Sequence, residues 1–409
     1  MSKTSFLLDF GLLRSHAAFR TLFIARLVSV LSLGLLTVAV PIQVQALTDS
    51  PLKVGLALSM AGIGMFVGLL TGGVLADRLE RRRLILAARS ICGLGFIGLA
   101  INASLPEPSL TAIYLLALWD GFFGALGVTA LLAVTPILVG RESMVQAGAL
   151  NMLSVRVAAI IAPPLGTLLI AQSGVVWNYG LTAFGTLITL LVLLRLPPLP
   201  PPEQPRESPW QALGGGIAFL FENRLLGTVA LVGALVTMAN AVRVLYPALG
   251  ESWGLDTGHL GWLYAAAPLG AALGALTSGR LNQAPRPGRT LLMSAVATFL
   301  AVAVFALLPG FWLSALCLVL FGYLGALNSL VQYALIQRLT PDRLLGRINA
   351  LWTAQNIGGE AIGAALFGGL ASLMLPAQAA FVFGLVAMLV AALCWALASG
   401  LRRAESLGA

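Results

Sequence analysis

Five charged residues stand inside runs of sequence that are otherwise apolar: Arg26, Asp120, Arg156, Arg243 and Glu360. Their types limit the chemistry. A carboxyl group can take up and release a proton, whereas a guanidinium stays protonated and acts as a hydrogen-bond donor and ion-pair partner. Each runs against the hydrophobicity around it, since a charge at the centre of a bilayer costs about 2.5–3.5 kcal/mol on insertion scales. Such residues are retained where they face one another or a wet cavity. Trp119, beside Asp120, and Gln355 and Asn356, one turn before Glu360, add a ring and two amides to the same stretches.

The surrounding elements must therefore be membrane helices. Of 409 residues, 59% are hydrophobic and 10% charged, and the mean hydropathy is +0.94. That composition belongs to the membrane class. Taking about 20 apolar residues per span, the chain predicts twelve spans: 20–46, 53–76, 84–104, 110–138, 145–172, 175–196, 224–248, 258–280, 290–309, 312–337, 346–373 and 378–400. The net charge of +9 is no nucleic-acid signal, because the basic residues fall in short gaps between spans. Arg78, Arg81, Arg82, Arg83, Arg141, Arg206, Arg280, Arg286, Arg289, Arg338 and Arg343 occupy one alternate set of gaps. Asp49, Lys53, Glu107, Glu251 and Asp256 occupy the other. The positive-inside rule then places both termini in the cytoplasm. The residues before the first span, with Lys3, Asp9, Arg14 and Arg20 around Phe6, Leu7, Phe10 and Leu13, read as a short amphipathic surface helix.

Several classes of function fit poorly. Cys92, Cys317 and Cys394 lie singly in apolar runs and read as small buried hydrophobes, not as a disulfide framework or zinc site. His16 and His259 have no metal-ligand spacing, and no metal or cofactor is expected. No phosphate-binding Gly-x-x-x-x-Gly-Lys-Ser/Thr is present to use ATP. Gly93-x-Gly95-x-x-Gly98 lies inside a span, where it reads as close helix packing and not as a dinucleotide site. No constellation of catalytic residues is visible, so an enzyme is not expected.

The chain also repeats itself. Gly73-Val-Leu-Ala-Asp77 matches Gly274-Ala-Leu-Thr-Ser278, Gly124-Ala-Leu matches Gly325-Ala-Leu, and Pro41, Thr135-Pro136 and Gly140-Arg141 match Pro247, Thr340-Pro341 and Gly346-Arg347. Each pair is separated by about 200 residues, the mark of two six-span halves from one duplication, with a midplane site at their interface. The expected division is a six-helix bundle over 1–196, a Pro-rich cytoplasmic linker over 197–216 and a second bundle over 217–409. Counting along the spans puts Asp120, Arg156 and Glu360 near mid-bilayer, Arg26 nearer the cytoplasm and Arg243 nearer the outside, so that the charges trace a path. Arg89, toward the cytoplasmic end of its span, is expected to snorkel.

Gly73-x-Leu75-Ala76-Asp77-Arg78-x-x-Arg81-Arg82 resembles the loop signature of the major facilitator superfamily, with Glu80 where a second glycine is usual. The resemblance implies a conformational gate, in which Asp77 caps a helix or pairs with Arg81 or Arg82. Ala162-Pro163-Pro164-Leu165-Gly166-Thr167 resembles a degraded form of that family's antiporter signature, implying a functional kink at Pro163, Pro164 and Gly166; a plain proline kink is the alternative. Asp120-Gly-Phe-Phe-Gly124 stands where many proton-linked members carry Arg-x-x-x-Gly, with the sign of the charge reversed. Further stretches resemble the branch that exports catechol siderophores such as enterobactin: Phe19–Arg26, Val40–Gln45, Ala117–Phe123, Ala241–Leu249 and Gly346–Asn356.

What this implies is an all-α secondary transporter of the bacterial inner membrane, carrying a siderophore out to the periplasm. Its partners would be the siderophore, protons and the lipid bilayer, with no nucleic acid and the chain as a monomer. Iron-free catechols are weak acids and mostly neutral in the cytoplasm, so donors and ring faces matter more than neutralising charge. Arginine supplies both donation and stacking, and Trp119, Phe122, Phe123, Tyr246, Tyr264, Tyr323, Tyr333 and Trp352 supply rings. Asp120 or Glu360 would carry the proton, with Arg156 and Arg243 as partners. Fixed ion pairs holding the halves together are the competing role for these residues. A multidrug or other metabolite exporter is the nearest alternative function, and a receptor that kept the fold is another.

Overall fold

The structure is a computed structural model that describes residues 11–140, 142–197, 214–215, 217–220, 223–279, 286–308 and 310–397. All regular structure among them is helical. A short α1 (Gly11–Ser15) leads into α2 (Ala17–Thr48), α3 (Pro51–Arg78), α4 (Arg81–Ser104), α5 (Leu110–Val139), α6 (Met144–Ser173) and α7 (Val175–Leu193). Then come α8 (Arg224–Ala239), a 3₁₀ segment (Asn240–Leu245), α9 (Tyr246–Ser252), α10 (Thr257–Thr277), α11 (Pro287–Leu307), α12 (Phe311–Leu339), α13 (Asp342–Ala371) and α14 (Pro376–Leu397).

Eleven stretches among the described residues are long and apolar enough to cross a membrane. The exception among the long helices is α13, whose Gln355, Asn356 and Glu360 lower its hydropathy although it runs for 30 residues. Large apolar side chains such as Leu94, Leu115, Trp177, Leu276, Trp312 and Leu389 are exposed on the helices. In a protein whose solvent is lipid, that is where they belong. The expected Pro-rich linker falls almost wholly outside the described residues; of the expected amphipathic start, residues 1–10 lie outside them and residues 11–20 form α1 and the beginning of α2.

The chain forms two compact units, Met1–Ala39 with Ile63–Arg206, and Val40–Gly62 with Glu207–Ala409. In the first, α4 packs on α5 and α7 around Leu22, Ile85, Ala88, Leu126, Val134 and Leu193. A glycine row on α3 lets two backbones approach closely: a Cβ on Gly64, Gly68 or Gly72 would run into α5 at Leu118, Phe122 or Leu126–Thr129. Small residues at four-residue intervals are the usual device for helix contact in lipid, where burial of apolar surface supplies no drive.

The second unit repeats the device. Gly270 and Gly274 on α10 lie against the backbone of α12 at Val319 and Tyr323. There α11 packs on α12 and α14, and α8 packs on α13. The segment Val40–Gly62 is part of this unit: Ser59 Oγ donates to the Ala361 carbonyl at 2.9 Å and Gln45 Nε2 to Glu251 Oε2 at 2.9 Å. At the start of α10, Asp256 caps the helix by accepting from the His259 amide at 3.0 Å. The neighbouring His259 ring holds the exposed Asp256 carboxyl below the usual carboxylate range.

Candidate functional site

The membrane-embedded charges sort by unit. Arg26, Asp120 and Arg156 belong to the first, Arg243 and Glu360 to the second.

In the second unit the two charges meet. Arg243 Nη2 lies 2.6 Å from Glu360 Oε1. A sequence feature explains how Arg243 is presented. Pro247 has no N–H and its ring collides with the carbonyl four residues back, which is that of Arg243. The α-helical ladder consequently breaks, and Asn240–Leu245 winds as a 3₁₀ segment. The Arg243 carbonyl is satisfied instead by the Tyr246 amide and by the Tyr264 hydroxyl, which donates at 3.1 Å. The expected continuous span over 224–248 is thus interrupted at its charged residue. On the partner helix, Gly359 and Gly363 lie against Thr237 and Met238, which brings Glu360 within reach of Arg243.

The neighbouring amides bind helices together. In the amide orientation that satisfies both of its polar atoms, Gln355 donates to the Ala230 carbonyl at 3.2 Å and accepts from Gln332 Nε2 at 3.1 Å. Trp352 Nε1 donates to Gln332 Oε1 at 3.4 Å. Asn356 turns back on its own helix, donating to the Trp352 carbonyl at 3.0 Å. Gln332 on α12 is the centre of this network. Tyr246 and Tyr264 are buried edge-to-face with centroids 5.0 Å apart, and Tyr333 rests on Trp352 at 5.2 Å.

In the first unit, Asp120 on α5 faces α4. Cys92 Sγ donates to its Oδ1 at 3.2 Å, one turn along α4 from Arg89. The expectation that Arg89 snorkels is incorrect: it is 2% exposed, in the core beneath the packing of α4 on α5. Its guanidinium runs along Gly127, which offers no side chain to obstruct it. The Nε atoms of Arg26 and Arg89 are both buried without a hydrogen-bond partner among the described residues. Cys92 is buried, as expected of a small hydrophobe, yet it also touches the acid. Arg89 and Cys92 are three residues apart on one helical face, a spacing that the sequence displays but does not aim at Asp120.

Arg156 is half-buried on α6 and forms no ion pair with a described residue. Trp119 donates from Nε1 to the Ile91 carbonyl at 2.8 Å, with its ring over Gly95. That use of Gly95 agrees with the packing role expected of the glycines at 93–98. Pro163 and Pro164 lie within the continuous α6, at a helix junction: Ala162 meets Gly34 of α2, and the Gly166 carbonyl accepts from Asn178 Nδ2 of α7 at 3.1 Å.

In the gate motif, Arg81 Nε donates to the Ala76 carbonyl at 3.4 Å, and Arg82 Nη2 to the Leu194 carbonyl at 2.7 Å. Both arginines thus stabilise carbonyl-bearing C-terminal ends of helices, where a cation is favoured. Glu80, at the position of the missing glycine, has φ −58° and needs no glycine; it pairs with Arg83 at 2.6 Å. Asp77 is half-buried and forms no ion pair with a described residue in this conformation, and Arg78 is exposed.

The comparisons with known proteins follow this pattern. The chain is 57% identical over 403 residues to a Citrobacter koseri protein named enterobactin exporter EntS, covering 98% of this chain and 97% of that one. It is 56% identical, at the same coverage, to an Escherichia coli O81 protein of the same name. Among solved structures, the nucleoside transporter NupG superposes with a TM-score of 0.74 at 16% identity, covering 93% of this chain and 98% of that one. The POT family transporter PepTSo gives 0.74 at 13% identity, covering 95% and 99%. Both share the fold. A family model described as transmembrane secretion effector matches residues 10–408, and with two relatives of this similarity the chain belongs to that family of the major facilitator superfamily.

Proposed function

We propose that this protein exports a catechol siderophore such as enterobactin from the cytoplasm to the periplasm, as a secondary transporter of the bacterial inner membrane. The observation that carries the substrate is the 57% identity, over 98% of the chain, to a relative named as an enterobactin exporter. In this reading α13 also crosses the membrane and brings the spans to twelve, the chain forms two six-helix bundles, and both termini are cytoplasmic. The protein works as a monomer by alternating access.

The energy source is proton antiport. Asp120 and Glu360 are the carboxyl groups that exchange protons, and Arg26, Arg156 and Arg243 donate to the catechol oxygens. Support comes from the immediate partners of each acid. Glu360 is held by Arg243 while ionised, and a proton on Glu360 would remove the charge that holds that arginine. The freed guanidinium then has an unmet need for an acceptor, which a catechol oxygen supplies. Trp119 offers a partly exposed ring beside Asp120 for stacking. The loop after α3, with Gly73, Asp77, Arg78, Arg81 and Arg82, acts as the conformational gate.

The test is a siderophore-producing strain lacking this protein. Cells should retain iron-free siderophore and recover secretion when the gene is returned. In everted vesicles, Asp120→Asn and Glu360→Gln should each lower proton-driven uptake at least about tenfold. Retention of dyes and drugs in place of siderophore would assign the protein to multidrug export. Undiminished proton-driven uptake in both variants would remove the carboxyl groups from the coupling step.

A further inference from the structure

We infer that Tyr333 and Trp352 form the subsite that takes one aromatic ring of the exported siderophore, at one end of a polar stripe on α13 that leads to the Arg243–Glu360 pair. The stripe follows from helical spacing. Asn349, Thr353, Asn356 and Glu360 recur at intervals of four, three and four residues and share one face of α13. All four are half-buried. Polar side chains at membrane depth are retained where they meet protein or water, not hydrocarbon, so a half-open polar stripe marks a wet side of the helix. The adjoining face is packed. Gly359 and Gly363 lie against Thr237 and Met238, and Gln355 donates to the Ala230 carbonyl of α8 at 3.2 Å in the orientation given above. Trp352 stands where the two faces meet, one turn before Asn356.

The Trp352 ring is held in place from the packed side. Its Nε1 donates to Gln332 Oε1 at 3.4 Å. Gln332 is itself 2% exposed, with its Nε2 on the Val229 carbonyl at 3.3 Å, and Gly233 leaves the space that this amide fills. An indole satisfied through its N–H edge still offers its ring faces for contact. Tyr333, next to Gln332 on α12, has its ring centroid 5.2 Å from that of Trp352, with the planes inclined at 50°. It is 42% exposed. One turn further along α12, Gln337 donates to Asn349 Oδ1 at 2.8 Å, so side chains of the two helices meet along the same stretch that carries the stripe. Two inclined rings, one anchored by a buried amide and the other open, suit a third ring that stacks on one and meets the edge of the other, the arrangements aromatic pairs prefer. The amides beside them both donate and accept, which matches the hydroxyls of a catechol and not a plain hydrocarbon ring.

Because the ring belongs to an exported siderophore, the subsite rests on the export reading, and the test keeps the two apart. The full-length protein, carrying 5-fluorotryptophan, would be followed by fluorine NMR in lipid nanodiscs. The Trp352 signal is assigned by its loss in Trp352→Phe, and that of the exposed Trp177 by its loss in Trp177→Phe. Saturating iron-free enterobactin should move the Trp352 signal and leave the Trp177 signal in place. Tyr333→Ala and Trp352→Ala should each raise the Kd for enterobactin at least about tenfold, and Trp352→Phe, which keeps a ring, about threefold or less. A Trp352 signal left unmoved by enterobactin that the unmodified protein does bind overturns the inference and leaves export standing. An unchanged Kd in both alanine variants does the same. Broadening of that signal by a spin-labelled lipid, with no response to enterobactin, also overturns it and places the ring in hydrocarbon. Should the alanine variants fail to fold, the Trp352 signal of the unmodified protein decides alone. An unmodified protein that does not bind enterobactin overturns the subsite and the export reading together.

Discussion

Arg243 and Glu360 illustrate what a pair of charges can contribute in this protein. Their side chains are 35% and 38% exposed, so the pair is not sealed in the interior and the full cost of breaking a buried ion pair does not apply. A modest interaction that can open is what an exchange site requires. The expected result of a double-mutant cycle, Arg243→Ala, Glu360→Ala and both together, is a coupling of about 0.5–2 kcal/mol in thermal unfolding of the detergent-solubilised protein. Additive single effects would show that the two charges do not interact. The burial of Arg89 was not legible at this scale. Its position along α4 allows snorkelling, and only its burial against Gly127 on another helix shows that it turns inward. Asp120 and Glu360 were legible because their chemistry conflicts with the apolar runs around them.

At the scale of elements, the span boundaries followed the hydropathy to within a few residues, because lipid imposes the same length requirement on every helix. The broken span α8–3₁₀–α9 was the main departure. The proline was visible, but a proline inside a membrane helix can be accommodated by a kink, as Pro41, Pro163 and Pro268 are within continuous helices. At Pro247 the Tyr264 hydroxyl helps to satisfy the freed carbonyl, and that donor comes from a distant part of the sequence. Pro247→Ala restores an N–H that can bond the Arg243 carbonyl and rewind the segment. We expect the rotation to carry Arg243 away from Glu360 and to lower siderophore uptake in vesicles by about tenfold or more, at unchanged protein level. Uptake equal to that of the unmodified protein would show that the 3₁₀ break has no part in presenting Arg243.

For the whole molecule, the expected orientation rests on the distribution of arginine among the gaps. Cysteine placed at Arg83, which is 87% exposed, and at Glu107, also exposed, would report it. The native thiols Cys92 and Cys317 are buried and Cys394 is half-buried, so background labelling should be low. A membrane-impermeant thiol reagent added to spheroplasts should label the cysteine at 107 and not the one at 83, with the pattern reversed in everted vesicles. Labelling of both from one side would refute the twelve-span topology with cytoplasmic termini. The short sequence matches about 200 residues apart suggest a duplication, and each unit contains a glycine-lined helix contact, Gly68 and Gly72 on α3 and Gly270 and Gly274 on α10.

Amino-acid order alone determined the solvent, the helical class, the span lengths and the acids and arginines that must be shielded from lipid. Those follow from transfer free energies, which act on each segment locally. Only the tertiary structure decided the partners: Glu360 for Arg243, Cys92 for Asp120, and helix-end carbonyls for Arg81 and Arg82. Pairing depends on the rotation of each helix about its axis and on how closely glycines let neighbours approach, and both are settled by packing between segments far apart in the chain.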